Sequence, residues 1–237
     1  AFRAALNCTV PWVDGGNERM VLRNLSVQAH PAEQTVWVMS SNSHALACYK
    51  LPLDGQKWTH PLLLPAPAVS ILSNALSTGG EVAVAFGGKE YSRWQYGNLT
   101  LWAKNSEETW MFTPKTAPPW LFNPDGKYLD VWVDGKTAVQ AIKTLPSNRL
   151  QVGLVLVNSG SMTFKIREGQ QDFAITVPAS VVPGGEVPRE ICISLLYLSK
   201  ALADGMTCVR IGSNIQPVQF QTADKARLVM VMPVKVA

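Results

Sequence analysis

One six-residue segment constrains this chain more than any other. Ile71-Leu-Ser-Asn-Ala-Leu76 returns as Tyr197-Leu-Ser-Lys-Ala-Leu202, which places Leu72 and Leu198 126 residues apart. The neighbours keep nearly the same shift. Leu62-Leu63-Leu64 precedes the first copy, and the apolar Ile191-Cys192-Ile193 precedes the second. Glu81-Val-Ala-Val84 follows one and Thr207-Cys-Val-Arg210 the other. Upstream, Val36-Trp-Val-Met39 answers Met162-Thr-Phe-Lys165. A six-residue match alone is weak, but matching order on both sides points to two copies of one module. A period this long marks a domain duplication rather than a solenoid. The chain has 237 residues, which suits two domains of ordinary size. The expected modules cover residues 1–122 and 123–237. Their join falls within residues 114–130, where Pro114, Pro118, Pro119, Pro124 and Gly126 favour an extended linker.

β-type runs dominate each module. They fall at residues 20–28, 35–39, 81–86, 98–103, 150–157, 162–166, 173–177 and 228–232, many bounded by Gly, Asn, Asp or Pro. Four short helices are expected, over residues 2–9, 68–77, 137–145 and 195–203. In the second, Val69, Leu72 and Leu76 keep helical spacing. In the fourth, Leu195, Leu198 and Leu202 share a face and Gly205 stands beyond the end. Two short helices per module cannot cover both faces of so much sheet, which argues against a doubly wound parallel fold. The expected class is α+β, with antiparallel sheets and both helices on one side.

Hydrophobic residues make up 47% of the chain and charged residues 16%, enough apolar material for a core and too little charge for disorder. The net charge of +4 permits contact with a polyanion without demanding it. No apolar run approaches the roughly 20 residues of a membrane span; residues 61–72 are broken by three prolines. No basic segment followed by an apolar core opens the sequence. Cys8, Cys48, Cys192 and Cys208 form no C-x-x-C pair and sit in apolar stretches. They read as buried thiols in a reducing, cytoplasmic setting. The glycosylation-type triplets at Asn7, Asn24 and Asn98 are then chance matches.

Catalytic constellations are not apparent. His30, His44 and His60 show no i, i+4 pair, and the Gly-Gly pairs match neither phosphate-loop nor dinucleotide fingerprints. Asn158-Ser-Gly-Ser161 is turn chemistry without G-x-S-x-G. No catalytic residue, metal site or cofactor is expected. Eight tryptophans are present. Trp37, Trp102 and Trp132 alternate within strands and are expected in the core. Trp58, Trp94 and Trp120 lie nearer loops and suit contacts between subunits.

The polar faces of the helices carry the charge signal. At about 100° per residue, Ala138, Val139, Ala141, Ile142 and Leu145 cover one side of the third helix, and Lys136, Thr137, Gln140 and Lys143 fall opposite. On the fourth, Lys200 points away from Leu198 and Leu202, and on the first Arg3 is the only base. Asp204 is the one acid. Such faces meet phosphates without reading base sequence.

Three segments resemble the bacterial sliding clamp, the beta subunit of the replicative DNA polymerase, over nearly the whole chain. Val38-Met-Ser-Ser-Asn-Ser-His-Ala-Leu-Ala47 followed by Leu51-Pro-Leu53 is similar to that family's V-A-T-D-G-H-R-L-A strand and turn. Leu64-Pro-Ala-Pro-Ala68 is similar to the approach to the second helix of its middle module. Val229-Met-Val-Met-Pro-Val-Lys-Val236 resembles its C-terminal V-V-M-P-M-R-L. The resemblance implies the DNA-clamp fold, with residues 1–122 as the middle module and 123–237 as the C-terminal one. Sheets would lie outside and helices would line a hole around duplex DNA, with Arg3, Lys136, Gln140, Lys143 and Lys200 facing it. It also implies an apolar groove for short peptides of polymerases, clamp loaders and repair proteins. That groove would take His44 and Leu46 from the turn, Met230, Met232, Pro233, Val234 and Val236 from the tail, and Pro217 and Val218 from the preceding strand. Methionines suit a groove with varied partners.

The sequence also departs from the family. Asp-Gly before the histidine is Asn42-Ser43, the arginine after it is Ala45, and residues 107–112 lack Phe-Pro-Asp-Tyr. A strand-like Tyr128-Leu-Asp-Val-Trp-Val133 precedes the second module's first helix, with no counterpart before Phe2. Two modules per chain would need a trimer to reach the six of a ring, whereas the family's three-module chains pair as dimers. The expectation is a dimer or trimer ring. The rival reading is a clamp-fold peptide-binding or regulatory module that does not encircle DNA. A third, an all-β enzyme or lectin built on the tryptophan-rich loops, has the least support.

Overall fold

The computed structural model describes residues 1–14, 16, 18–53, 60–76, 82–87, 90–111, 116, 128–146, 152–183, 189–213 and 215–234. The chain divides into two compact units, Ala1–Ala117 and Pro118–Ala237. The expected boundary between residues 122 and 123 lies outside the described residues, as does most of the expected linker.

In the first unit, helix α1 (Phe2–Thr9) buries Ala5, Leu6, Cys8 and Thr9. The backbone carbonyl of Thr9 accepts a hydrogen bond from the Ser40 hydroxyl at 2.5 Å, which satisfies one of the acceptors left over at a helix end. Strands β1 (Asn24–His30), β2 (Thr35–Ser41), β3 (Ala45–Pro52) and β4 (Leu62–Pro65) form an antiparallel sheet in the order β4-β1-β2-β3. The register pairs Val27 with Val38 and with Leu62, and Leu25 with Leu64. This puts Leu25, Val27, Val38, Leu62 and Leu64 on one face, where they pack with Ala5, Leu6, Val69 and Leu72 of the helices. Helix α2 (Ala66–Ala75) starts two residues before the expected position. Pro67 falls in its first turn, where a missing N–H costs nothing, so the proline-rich approach belongs to the helix. Strands β5 (Ala83–Gly87), β6 (Tyr91–Tyr96) and β7 (Leu99–Lys104) make a separate antiparallel meander.

In the second unit, strand β8 (Leu129–Val133), helix α3 (Gly135–Thr144), strands β9 (Val152–Asn158), β10 (Ser161–Glu168), β11 (Gln171–Pro183) and β12 (Glu190–Ser194), helix α4 (Leu195–Ala203), and strands β13 (Cys208–Ile211), β14 (Val218–Gln221) and β15 (Arg227–Val231) follow in order. All pairings are antiparallel, in the order β12-β9-β10-β11-β8-β13-β14-β15. The pairing repeats the first unit strand for strand. Order β12-β9-β10-β11 matches β4-β1-β2-β3, and β13-β14-β15 matches β5-β6-β7. The difference is β8, which pairs with both β11 and β13 and joins the two sets. Among the described residues of the first unit no strand does this.

The repeated hexapeptides are equivalent helix segments. Leu72 and Leu76 are buried to 3%, and Leu198 and Leu202 to 1% and 2%. Each such leucine contributes about 1.5–3 kcal/mol. Asp134 caps α3 by accepting from the Thr137 amide at 2.8 Å. Gly205, at φ +82°, turns the chain out of α4. Its amide donates to the Leu202 carbonyl at 3.1 Å, and the Met206 amide donates to that of Ala201 at 3.2 Å.

Each unit is therefore α+β, two helices lying with antiparallel sheet. The tryptophan expectations need correction. Trp37 is buried, but Trp102 is 61% and Trp132 38% exposed, whereas Trp94 is buried to 1% in the first unit's core and stacks on Phe2 at 5.2 Å. Alternation identifies residues that share a face; it does not say which face is covered. Trp58 and Trp120 lie outside the described residues. Cys8, Cys48 and Cys208 are buried and Cys192 half-buried, all as free thiols.

Candidate DNA-facing helices and peptide-binding segment

On α3 the amphipathic division holds. Gly135, Ala138, Val139 and Ala141 are buried, while Lys136, Thr137, Gln140 and Lys143 are exposed. Asp134 shares this surface. Hydrogen bonds from the Thr137 side chain and amide hold its carboxyl below the usual range, so it stays anionic beside the lysines. Lys200 differs from its neighbours on α3. It is half-buried, and desolvation lowers its pKa against the opposing pull of Asp204. Asp204 is raised by burial, against Lys200 and Arg227, and its Oδ2 is buried with no hydrogen-bond partner among the described residues. Arg3 is exposed on α1 beside Ala4 and Asn7. The exposed face of α2 holds Pro67, Ser70, Ile71 and Asn74, with no charge. The basic signal thus lies mainly on the second unit's helices.

The turn between β2 and β3 is built by Asn42. Its Oδ1 accepts from the His44 amide at 3.2 Å and the Ala45 amide at 2.9 Å, and its own amide donates to the Ala45 carbonyl at 3.1 Å. An Asx turn of this kind brings the chain round without a glycine. Ser43 accepts the strain, at φ +74°. His44 is left exposed at the tip, and Leu46 is buried to 7% within β3.

The tail residues separate by exposure. Met230 is buried to 2%, whereas Met232 is 45% and Val234 37% exposed, with Pro233 half-buried between them. The Val234 amide donates to the Cys192 carbonyl at 2.9 Å, which ties the segment to strand β12. Pro217 is half-buried. Val218 pairs with Val231 while Met230 pairs with Gln219, so Val218 lies on the opposite sheet face from Met230 and is buried to 1%. Val236 lies outside the described residues.

Sequence reasoning missed one charged pair. Arg210 on β13 donates to both carboxylate oxygens of Asp130 on β8, at 2.7 and 2.8 Å, and its guanidinium lies 4.1 Å from the centre of the Tyr128 ring. The available signal was one charge in the middle of each of two apolar strands. Among the described residues no cluster of His, Cys, Asp and Glu is placed to hold a metal ion, and no helix is long and apolar enough to cross a membrane.

No protein-family model matches the chain, and no curated protein does. Solved structures do. DNA polymerase III subunit beta from Pseudomonas aeruginosa superposes with a TM-score of 0.83 at 19% identity, covering 99% of this chain and 64% of that one. The beta subunit from Thermotoga maritima gives 0.83 at 13%, covering 100% and 64%. A DNA polymerase sliding clamp from Bacillus subtilis gives 0.82 at 17%, covering 99% and 62%. The chain therefore has the sliding-clamp fold and spans a little under two thirds of these proteins' length.

Proposed function

We propose that the chain is a sliding-clamp subunit, a non-enzymatic protein that encircles duplex DNA and tethers replication and repair proteins to it. The observation that carries this reading is the superposition on bacterial polymerase III beta subunits over 99% of the chain. Residues 1–122 and 123–237 are assigned as its two clamp modules. Arg3, Lys136, Gln140, Lys143 and Lys200 are assigned to the DNA, in contacts that are water-softened and independent of base sequence. Met232, Pro233 and Val234 are assigned to short apolar peptides of a polymerase and a clamp loader, and His44 and Leu46 are assigned to the same task by the family resemblance. The working form is a homo-oligomeric ring in the cytoplasm.

A topological experiment tests it. Protein assembled on nicked circular plasmid should co-elute with the DNA and be released when a restriction enzyme linearises it. Replacing Lys136 and Lys143 by glutamate should shorten retention. A monomer that shows equal retention on circular and linear DNA overturns the encircling function.

One observation favours the rival, a clamp-fold peptide module that does not encircle DNA: α2 exposes no cation at all. That reading predicts peptide binding, lost on replacing Met232 and Pro233, without topological retention.

A further inference from the structure

We propose that the open face of the β5–β6–β7 meander binds single-stranded nucleic acid. The inference is independent of the encircling function, which concerns the helices and duplex DNA.

Strand register builds this face. Tyr91, Arg93 and Gln95 alternate along β6 with Ser92 and Trp94, which are buried in the first unit. Tyr91 pairs with Lys104 of β7, Arg93 with Trp102 and Gln95 with Thr100. Toward β5, Arg93 pairs with Ala85 and Gln95 with Ala83. Directly paired residues share a face, so these side chains lie together, on the side away from Trp94. Trp102 is 61% and Tyr91 42% exposed. Ala83 and Ala85 are exposed and carry only a methyl group, which leaves the β5 side of the face low.

Rings and cations form a checkerboard here. Along β6 and β7 an aromatic is followed two residues on by a cation, and across the ladder each of these aromatics stands opposite a cation. The Arg93 guanidinium lies 5.9 Å from the centre of the Trp102 ring, which brings positive charge beside the indole. One of its terminal nitrogens donates to the Gln95 side chain at 3.0 Å. The Lys104 ammonium meets Glu107 at 3.3 Å, but the two side chains are 59% and 89% exposed. A surface pair of this kind is weak, so a phosphate displaces it at little cost.

Charge complementarity selects the occupant. A single strand of nucleic acid alternates flat bases with phosphates, as the two strands alternate rings with cations. Bases stack on exposed aromatic rings while cations follow the backbone, with little dependence on base sequence. In a duplex the base faces are already stacked on one another, so Trp102 has none to meet. A protein partner fits less well, since lysine is depleted in protein interfaces.

The test is a short fluorescein-labelled oligothymidylate, titrated with the full chain and followed by anisotropy. The wild-type chain should bind it, and Trp102→Ala should weaken binding about fivefold or more, the lower end for one lost stacking contact. Trp102→Phe, which keeps a ring, should recover most of that loss. Lys104→Gln should lower affinity and flatten the slope of log affinity against log salt by about 0.7, one phosphate contact of a single strand. Glu107→Gln, which releases Lys104 from its pair, should raise affinity. The proposal is overturned if the wild-type chain does not bind the oligonucleotide at low salt, or if Trp102→Ala binds it as tightly as wild type. An equal loss by Trp102→Ala toward a duplex of the same length overturns the single-strand class. If light scattering shows that Trp102→Ala splits an oligomer while oligonucleotide affinity holds, the face is a contact between copies and the proposal falls.

Discussion

The Val234 amide donates to the Cys192 carbonyl at 2.9 Å, and this bond has a twin in the first unit, where the Ser106 amide donates to the Leu63 carbonyl at 2.8 Å. The carbonyls are equivalent by register, since Cys192 pairs with Leu154 of β9 and Leu63 with Ser26 of β1. After its last strand, each unit therefore crosses back to its own edge strand. In the second unit the crossing segment is Met232-Pro233-Val234. Val234→Pro removes the donor. We expect the exposed Met232 and Val234 to lose their fixed placement and peptide affinity to fall at least tenfold. Global stability should fall by only about 0.5–1.5 kcal/mol. Peptide titration beside urea denaturation separates the two effects, and unchanged affinity would remove the tail from the binding surface.

The Asp130–Arg210 pair is nearly enclosed, with side-chain exposures of 15% and 11%. Its partner and burial raise the stakes in opposite directions: the hydrogen bonds to Asp130 raise the Arg210 pKa, and desolvation opposes them. Asp130→Asn should leave a half-satisfied guanidinium and cost about 2–4 kcal/mol. Asp130→Leu combined with Arg210→Met should recover most of that loss. If the single and double changes destabilise equally in urea melts, packing rather than charge pairing holds this part of the sheet.

The helices were legible because periodicity and caps agree in the sequence. Leu195, Leu198 and Leu202 with Gly205 delimit α4 without help from the rest of the chain. Strand β6 was not, because its core-facing positions are Ser92, Trp94 and Tyr96, and two of those are polar. Ser92 is fully buried and its hydroxyl accepts from the Trp94 indole at 2.9 Å, a contact that no hydropathy pattern announces. Of the candidate sites, the α3 face followed from helical geometry alone. Val218 was assigned through family likeness, and strand register turns it away from Met230. The strap at Ser106 was illegible, since its meaning depends on a carbonyl 43 positions earlier.

Ser43 holds φ +74° at the tip of the β2–β3 turn. A side chain in this region costs about 1–2 kcal/mol, partly offset by the greater chain entropy that glycine loses on folding. Ser43→Gly should therefore stabilise the chain by about 0.5–1 kcal/mol, and Ser43→Ala should give no gain. Chemical denaturation of the three proteins decides it; a stabilising alanine would mean that the serine hydroxyl, not the backbone, is the source of strain.

Gly135 opens α3 against α4. A Cβ built on it would lie 2.7 Å from the Leu202 carbonyl oxygen, an atom of backbone that cannot rotate away. Gly135→Ala should push the helices apart and cost about 1–3 kcal/mol. Gly160, with nothing within 4 Å of the same built atom, is the control: Gly160→Ala should be close to neutral. Thermal melts of both variants test whether close helix approach, rather than glycine content, is what this unit requires.

Asp204 ends α4 with a carboxylate oxygen that is buried and has no hydrogen-bond partner among the described residues, and burial raises its pKa despite Lys200 and Arg227. A folded pKa above the unfolded value means that folding favours the protonated acid. Its contribution to stability is full below the ordinary carboxylate pKa and is lost as pH rises through the raised folded value. At neutral pH the wild-type chain therefore carries a penalty that a neutral isostere avoids. Asp204→Asn should be more stable than wild type at pH 7, with the gap narrowing as acid protonates the wild-type carboxyl. The Arg227 guanidinium donates to the backbone carbonyl of Asp204 at 3.0 Å, so that bond survives the change. Urea denaturation of both proteins from pH 7 down to pH 4 checks the sign. A gap that widens on acidification would show that the carboxylate is stabilised by its two cationic neighbours more than burial penalises it.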